Sequence, residues 1–229
     1  VITYRLAEDH FLVVANASNA EADSAELTAR AAGFDVVVDD ASARTALIAV
    51  QGPASQEILL RALTEGQHGV AGVGAEELAA LKNYRVLQGS YRDQDLLIAR
   101  TGYTGEDGFE LYLPVERAAE LWQQLTEAGG HDLTPCGLAC RDTLRLEAGM
   151  PLYGHEIGRD LHPAQSGLGR VVALKSKQDF VGRAAFEAAD TSQLPVLVGL
   201  VADGRRAARA GSEVRTPGGE AVGSISSGA

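Results

Sequence analysis

The hydrophobic and polar positions of this chain alternate between the period of a strand and the period of a helix. Short apolar or alternating runs predict strands at 11–14, 34–38, 45–50, 84–88 and 96–100. Apolar residues at helical spacing predict helices at 19–32, 53–63, 75–81 and 114–128. Ser18 and Glu21 form a capping box that would open the first helix. This alternation, with hairpin signals between strands, predicts an α+β fold rather than a doubly wound parallel sheet. No Gly-x-Gly-x-x-Gly turn opens a helix after a strand, so a dinucleotide-binding fold has no support.

A glycine-rich segment at 102–111 connects two strands and carries the first candidate for chemistry. Its sequence, Gly-Tyr-Thr-Gly-Glu-Asp-Gly-Phe-Glu-Leu, predicts a turn that leads into a strand at 109–113. In that strand the apolar residues share one face, and Glu110 and Tyr112 share the other. Glu110 therefore either faces water on a half-exposed sheet or accepts hydrogen bonds from a polar ligand on that face. Periodicity alone leaves both interpretations open.

A second candidate lies on a predicted helix that begins at Thr134 and ends at Gly149, because these two residue types suit an N-cap and a C-terminal stop. Asp142 can pair with Arg145 three residues further on, whereas Arg141 has no acid within one turn. A guanidinium in that position is solvated, paired with a distant acid, or directed at an anionic ligand.

Composition narrows the classes of function. The chain has 229 residues, with 20 basic and 31 acidic side chains and a net charge of −11, which disfavours a general nucleic-acid binder. No apolar run approaches the ~20 residues that span a bilayer, so we expect no membrane partner. The histidines are scattered without ligand-like spacing, so we expect no metal. Cys136 and Cys140 are expected to be small buried residues in a reducing compartment.

Taken together, these segments resemble the aminomethyltransferase (T-protein) family of the glycine cleavage system. The family pattern contains the Gly-Tyr-Thr-Gly-Glu-Asp-Gly-Phe-Glu turn and strand, followed by an Arg-Asp-Thr-Leu-Arg-Leu-Glu-Ala-Gly helix and a Leu-Tyr-Gly segment. These three motifs, and three further matches of the family pattern, stand here at 102–110, 141–149, 152–154, 16–19, 50–54 and 177–183. The resemblance covers essentially the whole chain.

The resemblance implies a folate-binding α+β domain at 1–190 and the start of a C-terminal β-barrel domain at 195–229. A change of composition near 191–195, a predicted strand at 196–202 and short β-prone runs at 211–225 agree with that division. Compared with the family pattern, an N-terminal segment and most of the C-terminal domain are absent, so we expect a fragment with both ends missing. A cytoplasmic, bacterial-like location is expected, and a mitochondrial transit peptide stays open because the N-terminus is missing.

The activity that the resemblance implies is transfer of the one-carbon unit from the aminomethyl-lipoyl arm of the H-protein to tetrahydrofolate, with release of ammonia. Glu110 matches the family position that grips the pterin, and Asn16 matches a pterin contact, although a role in the loop turn is open for Asn16. Tyr103 either stacks on the ligand or packs at the hairpin tip. Arg141 matches the family arginine near the anionic folate tail or the lipoyl arm. The catalytic aspartate is expected immediately before Val1, so the chain shown holds no catalytic residue and is expected to be inactive.

Two other functions use similar motifs. One is the folate domain of a dimethylglycine- or sarcosine-oxidising flavoenzyme, which shares the turn and the helix. The other is a non-enzymatic, folate-binding iron–sulfur assembly factor, whose hallmark cysteine has no counterpart after Cys140. The chain departs from the usual family pattern at His162, where threonine is usual, and at Arg170, where tryptophan is usual.

Overall fold

The structure is a computed structural model that describes residues 1–64, 70–204 and 206–229. It divides into two compact units, Val1–Cys136 and Gly137–Ala229. Both units contain helices and strands, which confirms the predicted mixture of α and β structure. The predicted domain boundary near 191–195 and the predicted β-barrel stay predictions.

The first unit is built around an antiparallel sheet. Its elements, in chain order, are β1 (Ile2–Arg5), β2 (Phe11–Val14), α1 (Ala20–Ala31), β3 (Thr45–Gln51), α2 (Ser55–Thr64), β4 (Val70–Ala71), α3 (Ala75–Ala80), β5 (Val86–Tyr91), β6 (Gln94–Ala99), β7 (Gly108–Pro114) and α4 (Ala118–Gly129). Five strands pair in the order β3-β7-β6-β5-β4, and β1 pairs with β2 as a separate hairpin. Strand β7, which carries Glu110, therefore lies between β3 and β6.

The two faces of the five-stranded sheet are covered differently. Helices α2 and α4 pack on each other and on β3 and β7, and they enclose the larger core. On the opposite face, Tyr4 of the β1–β2 hairpin packs against Leu97, Ala99 and Tyr112. Burying a large apolar side chain contributes about 1.5–3 kcal/mol, so each cover stabilises its face of the sheet. Strand β7 is consequently covered on both sides, because its alternate residues reach the two cores.

The second unit has less regular structure. Its helices and strands among the described residues are α5 (Leu138–Glu147), α6 (Arg183–Ala188), β8 (Glu213–Arg215) and β9 (Ala221–Ser224). The two strands form a hairpin within the β-prone run at 211–225. No helix in the described part of the chain is both long enough and apolar enough to cross a membrane.

A buried ion pair organises the second unit. The side chain of Arg145 on α5 is 1% exposed and lies 3.1 Å from the carboxylate of Glu156, which is 4% exposed. The predicted pair with Asp142 is confirmed at 2.6 Å. Arg145 also donates to the Met150 carbonyl at 3.2 Å and to the Ser227 hydroxyl at 2.8 Å. The guanidinium thus ties α5 to the segment that follows it and to residue 227.

Two predicted strands are wrong. Segments 34–38 and 196–202 contain no strand in the structure, and their apolar side chains, such as those of Val37 and Val201, are largely exposed. A β-prone run becomes a strand only when a neighbour pairs with its backbone and covers one face, since β-propensity is mostly a matter of context.

The predicted helix starts are also displaced. A 3₁₀ turn at Ala17–Asn19 places Asn19 at the N-cap of α1, so the predicted Ser18 capping box is wrong. Helix α5 begins at Leu138 after Gly137, whose φ of −82° and ψ of 174° are extended, so the predicted Thr134 cap is wrong. Glycine disfavours helical backbone and interrupts the predicted first turn. The late start leaves Cys136 outside the helix, and both it and Cys140 are exposed, which contradicts their predicted burial.

Candidate functional site

Glu110 sits at the middle of the sheet, on the face that the β1–β2 hairpin covers. It is 9% exposed, so the interpretation in which it simply faces water is wrong. Its neighbours across the ladder are two alanines, Ala99 on β6 and Ala49 on β3. Ala99 is buried under the hairpin, whereas Ala49 is exposed. The carboxylate therefore lies where the covered part of the face meets the open part, between two neighbours with small side chains.

Three hydroxyl groups surround this carboxylate. Thr101 donates a hydrogen bond from Oγ1 to Glu110 Oε2 at 2.5 Å, and the Tyr112 hydroxyl donates to the same oxygen at 3.3 Å. The Tyr4 hydroxyl lies 2.8 Å from Thr101 Oγ1 and 3.4 Å from the Tyr112 hydroxyl. All four residues are buried. Both bonds from described residues reach Oε2, and none of them reaches Oε1.

The two tyrosines keep their protons over the pH range in which proteins work. Burial raises the pKa of Tyr4 above 10, and this outweighs the opposite effect of its bonds to Thr101 and Tyr112. Burial also raises the pKa of Tyr112, with further increases from its bond to Tyr4 and the charge of Glu110. Both hydroxyls therefore remain hydrogen-bond donors beside the carboxylate.

The glycine-rich turn is held in place by Gln51 at the end of β3. The Gln51 side-chain amide donates to the carbonyls of Thr101 and Phe109, at 3.1 Å each. A Cβ at Gly102 would stand 1.8 Å from Gln51 Oε1, and one at Gly108 would stand 2.3 Å from it. Glycine at both positions leaves this brace undisturbed, because a Cβ there would displace the Gln51 side chain. The Gln-Gly-Pro segment and the glycine-rich turn, far apart in sequence, thus form one structure.

An ion pair closes the base of the same turn. Arg100 donates from Nε and Nη2 to the two oxygens of Asp107, at 2.9 and 2.7 Å, and from Nη1 to the Leu81 carbonyl at 2.7 Å. The hydrogen bonds from Arg100 hold the pKa of Asp107 below its usual value. This bidentate contact fixes the end of β6 against the start of β7. Thr101, the next residue, is held close to the strand that carries Glu110.

Three of the four predicted binding residues lie in the first unit, and Arg141 lies in the second. Tyr103 is half-buried in the turn, two residues after Thr101, and Asn16 is half-buried just after β2. The Asn16 side chain makes no capping bond to the 3₁₀ turn that follows it, so a capping role does not explain it. Arg141 is exposed on α5 of the second unit. The roles of these residues and of Glu110 in binding stay predictions.

Sequence reasoning missed Thr101 and the part played by Tyr4. One usable signal was present, because Tyr112 stands two residues from Glu110 on the same face of a strand. The contact between Tyr4 and Thr101 joins residues 97 positions apart, and no local pattern reports such a pair. No group of three or more histidine, cysteine, aspartate or glutamate side chains in residues 1–64, 70–204 and 206–229 is placed to hold a metal ion.

Comparison with known proteins identifies the family of the chain. Residues 1–176 match the family model described as the GCVT N-terminal domain. Relatives named aminomethyltransferase include one from Cutibacterium acnes, 58% identical over 228 residues, and one from Streptomyces avermitilis, 54% identical over 234 residues. Each alignment covers all of this chain and 60% of the relative, so the chain spans about 60% of the length of these relatives.

A crystal structure of the glycine cleavage system aminomethyltransferase T from Bartonella henselae is also similar to the chain. It has a TM-score of 0.78 and 35% sequence identity, over 98% of this chain and 58% of that one. Since the family model alone spans more than half of the sequence, the chain belongs to the GCVT N-terminal domain family.

Proposed function

We propose that the protein is an aminomethyltransferase of glycine cleavage. It would transfer the one-carbon unit from the aminomethyl-lipoyl arm of an H-protein to tetrahydrofolate and release ammonia. The observation that carries this proposal is Glu110, a carboxylate enclosed on a strand and open to a ligand at one oxygen. The relatives named aminomethyltransferase, which align along the whole chain, support it.

The donors and acceptors around Glu110 suit a ligand that presents N–H groups. A carboxylate has about four lone-pair sites on its two oxygens. Thr101 and Tyr112 occupy two of them, both on Oε2, so about two sites remain for the ring N–H and amino group of a pterin. The apolar and aromatic surroundings of Tyr4 and Tyr112 exclude water from one side, which strengthens such hydrogen bonds.

The remaining proposed residues complete the binding of folate. Asn16 and Tyr103 would contact the pterin, and Arg141 would pair with the anionic tail of folate or meet the arriving lipoyl arm. The pterin amine attacks a carbon that becomes iminium-like as ammonia leaves, so the reaction needs orientation and nearby negative charge. We propose that an aspartate immediately before Val1 supplies that charge.

If either alternative function were correct, we would expect relatives that carry the name of that function. A flavoenzyme domain or an iron–sulfur assembly factor with this fold would share the folate site, but the relatives described above carry the name aminomethyltransferase. Among the described residues of the first unit, no contact favours either alternative over the transferase.

The proposal is tested by turnover in the full-length gene product. With aminomethyl-lipoyl H-protein and tetrahydrofolate, we expect formation of methylenetetrahydrofolate and release of ammonia in equal amounts. Glu110→Gln should lower kcat/KM for tetrahydrofolate at least tenfold, because a hydrogen bond to a charged group is worth about 1.5–3 kcal/mol. Glu106→Gln, an exposed glutamate of the same turn, is the matched control. Absence of one-carbon transfer by the wild-type protein would refute the proposal.

A further inference from the structure

We propose that Thr101 is a positioning residue for Glu110. Its hydroxyl, itself held by Tyr4, fixes the carboxylate so that Oε1 is directed to the ligand. This inference rests on the proposed function, since it concerns how the same carboxylate is held before tetrahydrofolate arrives. It assigns a role in ligand recognition to a hydroxyl that need not touch the ligand.

The direction of the hydrogen bonds follows from the number of protons. Thr101 has one hydroxyl proton, and a carboxylate can only accept. The 2.5 Å contact therefore directs the Thr101 proton to Glu110 Oε2, at a distance typical of a hydroxyl bound to a charged oxygen. Tyr4, 2.8 Å from Thr101, must then be the donor of that contact. The result is a one-way chain from Tyr4 to Thr101 to Glu110.

The backbone of Thr101 is held in place by its neighbours. Its carbonyl accepts from Gln51 at 3.1 Å, and the preceding residue, Arg100, is clamped to Asp107. A branched Cβ limits threonine to few rotamers, so a fixed backbone also fixes the hydroxyl. The Tyr112 hydroxyl, at 3.3 Å from Oε2, makes the longer bond of the two.

The consequence for binding is pre-organisation. A glutamate side chain loses rotational freedom when a ligand orders it, and this loss weakens binding. In this structure the Glu110 side chain loses that rotational freedom on folding, because Thr101 already holds Oε2 on the side of the hairpin. The ligand then meets a carboxylate with one oxygen fixed and the other available.

The test compares Thr101→Val, which keeps the shape and removes the hydroxyl, with Thr101→Ser, which keeps the hydroxyl. Titration of the full-length protein with tetrahydrofolate should give roughly four- to tenfold weakening for the valine variant, because the ligand must then order the Glu110 side chain itself. The serine variant should stay within about twofold of wild type, as expected when the bond is retained. In a Glu110→Gln background, Thr101→Val should weaken binding by less than about twofold further, because coupled residues are not additive.

The competing explanation is that Thr101 only joins the hairpin to the sheet. In that case Thr101→Val lowers the melting temperature and leaves affinity unchanged, or weakens affinity equally with and without Glu110. Either result overturns the proposal. If the valine variant does not fold, Thr101→Ala removes the hydroxyl without adding bulk and takes its place.

Failure of the proposed function can be distinguished from failure of the positioning role of Thr101. If wild-type protein does not bind tetrahydrofolate, crystal structures of the ligand-free wild-type and variant proteins decide the positioning claim. We expect one orientation of the Glu110 carboxylate in the wild-type and serine proteins, and a rotated or multiple orientation in the valine protein. A carboxylate that keeps its wild-type orientation in Thr101→Val overturns the inference even if the protein does bind folate.

Discussion

Replacing Glu156 with glutamine should loosen helix α5 of the second unit. The change keeps the shape of the side chain and removes one charge of its buried pair with Arg145. Removing one partner of a fully buried ion pair costs about 3–5 kcal/mol when the other charge is left without compensation. Arg145 keeps Asp142, the Met150 carbonyl and the Ser227 hydroxyl, so the loss should be smaller. We expect about 1.5–3 kcal/mol, the value of a hydrogen bond to a charged group.

Amide hydrogen exchange of α5 in the full-length protein measures this loss locally. At about 1.4 kcal/mol per factor of ten, exchange protection should fall roughly ten- to a hundredfold in Glu156→Gln. Asp142→Asn is the matched control, because Asp142 pairs with the same guanidinium but is 50% exposed. Asp142→Asn should lower the free energy of local unfolding of α5 by less than about 1 kcal/mol, because exposed ion pairs contribute little. Equal effects from the two variants would refute the claim that burial makes the Glu156 contact the stronger one.

The same pair predicts how the stability of the second unit depends on pH. Burial by itself raises the pKa of Glu156, but the nearby hydroxyls of Ser226 and Ser227, the bond from the Leu152 amide and the charge of Arg145 outweigh it and hold the pKa below 4.5. The charged form therefore stabilises the folded unit above about pH 4.5, and this contribution is lost as the pH falls through the lowered pKa. The difference in amide-exchange protection of α5 between wild type and Glu156→Gln should shrink as the pH falls below 4.5, when both proteins are measured at the same pH. A difference that grows on acidification would contradict this sign.

Two further substitutions test the first unit and the arginine of α5. Gly102→Ala should destabilise the first unit by about 1–3 kcal/mol in denaturant unfolding, because the new Cβ displaces the Gln51 side chain and breaks its two bonds to carbonyl groups. In a Gln51→Ala background this loss of stability should largely disappear. An unchanged loss in that background would contradict the clash with Gln51. Arg141→Lys should lower one-carbon transfer at least tenfold while the melting temperature stays within a few degrees, because lysine keeps the charge but lacks the planar fork. Arg30→Lys, in an exposed pair on α1, is the control. Near-normal turnover of the Arg141 variant would show that Arg141 has no part in the transfer.

Local patterns predicted the parts of the site that depend on neighbours in sequence. Strand alternation placed Glu110 and Tyr112 opposite the apolar residues of β7, and helical spacing paired Asp142 with Arg145. Each depends on residues no more than one turn or two strand positions apart. The burial of Glu110 could not be predicted in this way, because the cover comes from a hairpin near the start of the chain.

Long-range contacts account for most of what the sequence did not reveal. Thr101 meets Tyr4 across 97 positions and is braced by Gln51 across 50, while Glu156 meets Arg145 across 11. The predicted strands at 34–38 and 196–202 fail for the same reason, since a strand requires a partner that a local run does not specify.

The central claim is that Glu110 holds the pterin, and calorimetric titration of the full-length protein with tetrahydrofolate tests it most directly. Wild type and Glu106→Gln should bind with affinities within about twofold of each other, as expected for an exposed substitution. Glu110→Gln should bind roughly ten- to a hundredfold more weakly, with an unchanged melting temperature. An affinity for Glu110→Gln within about twofold of wild type would contradict the account and leave Glu110 as a structural residue of the sheet.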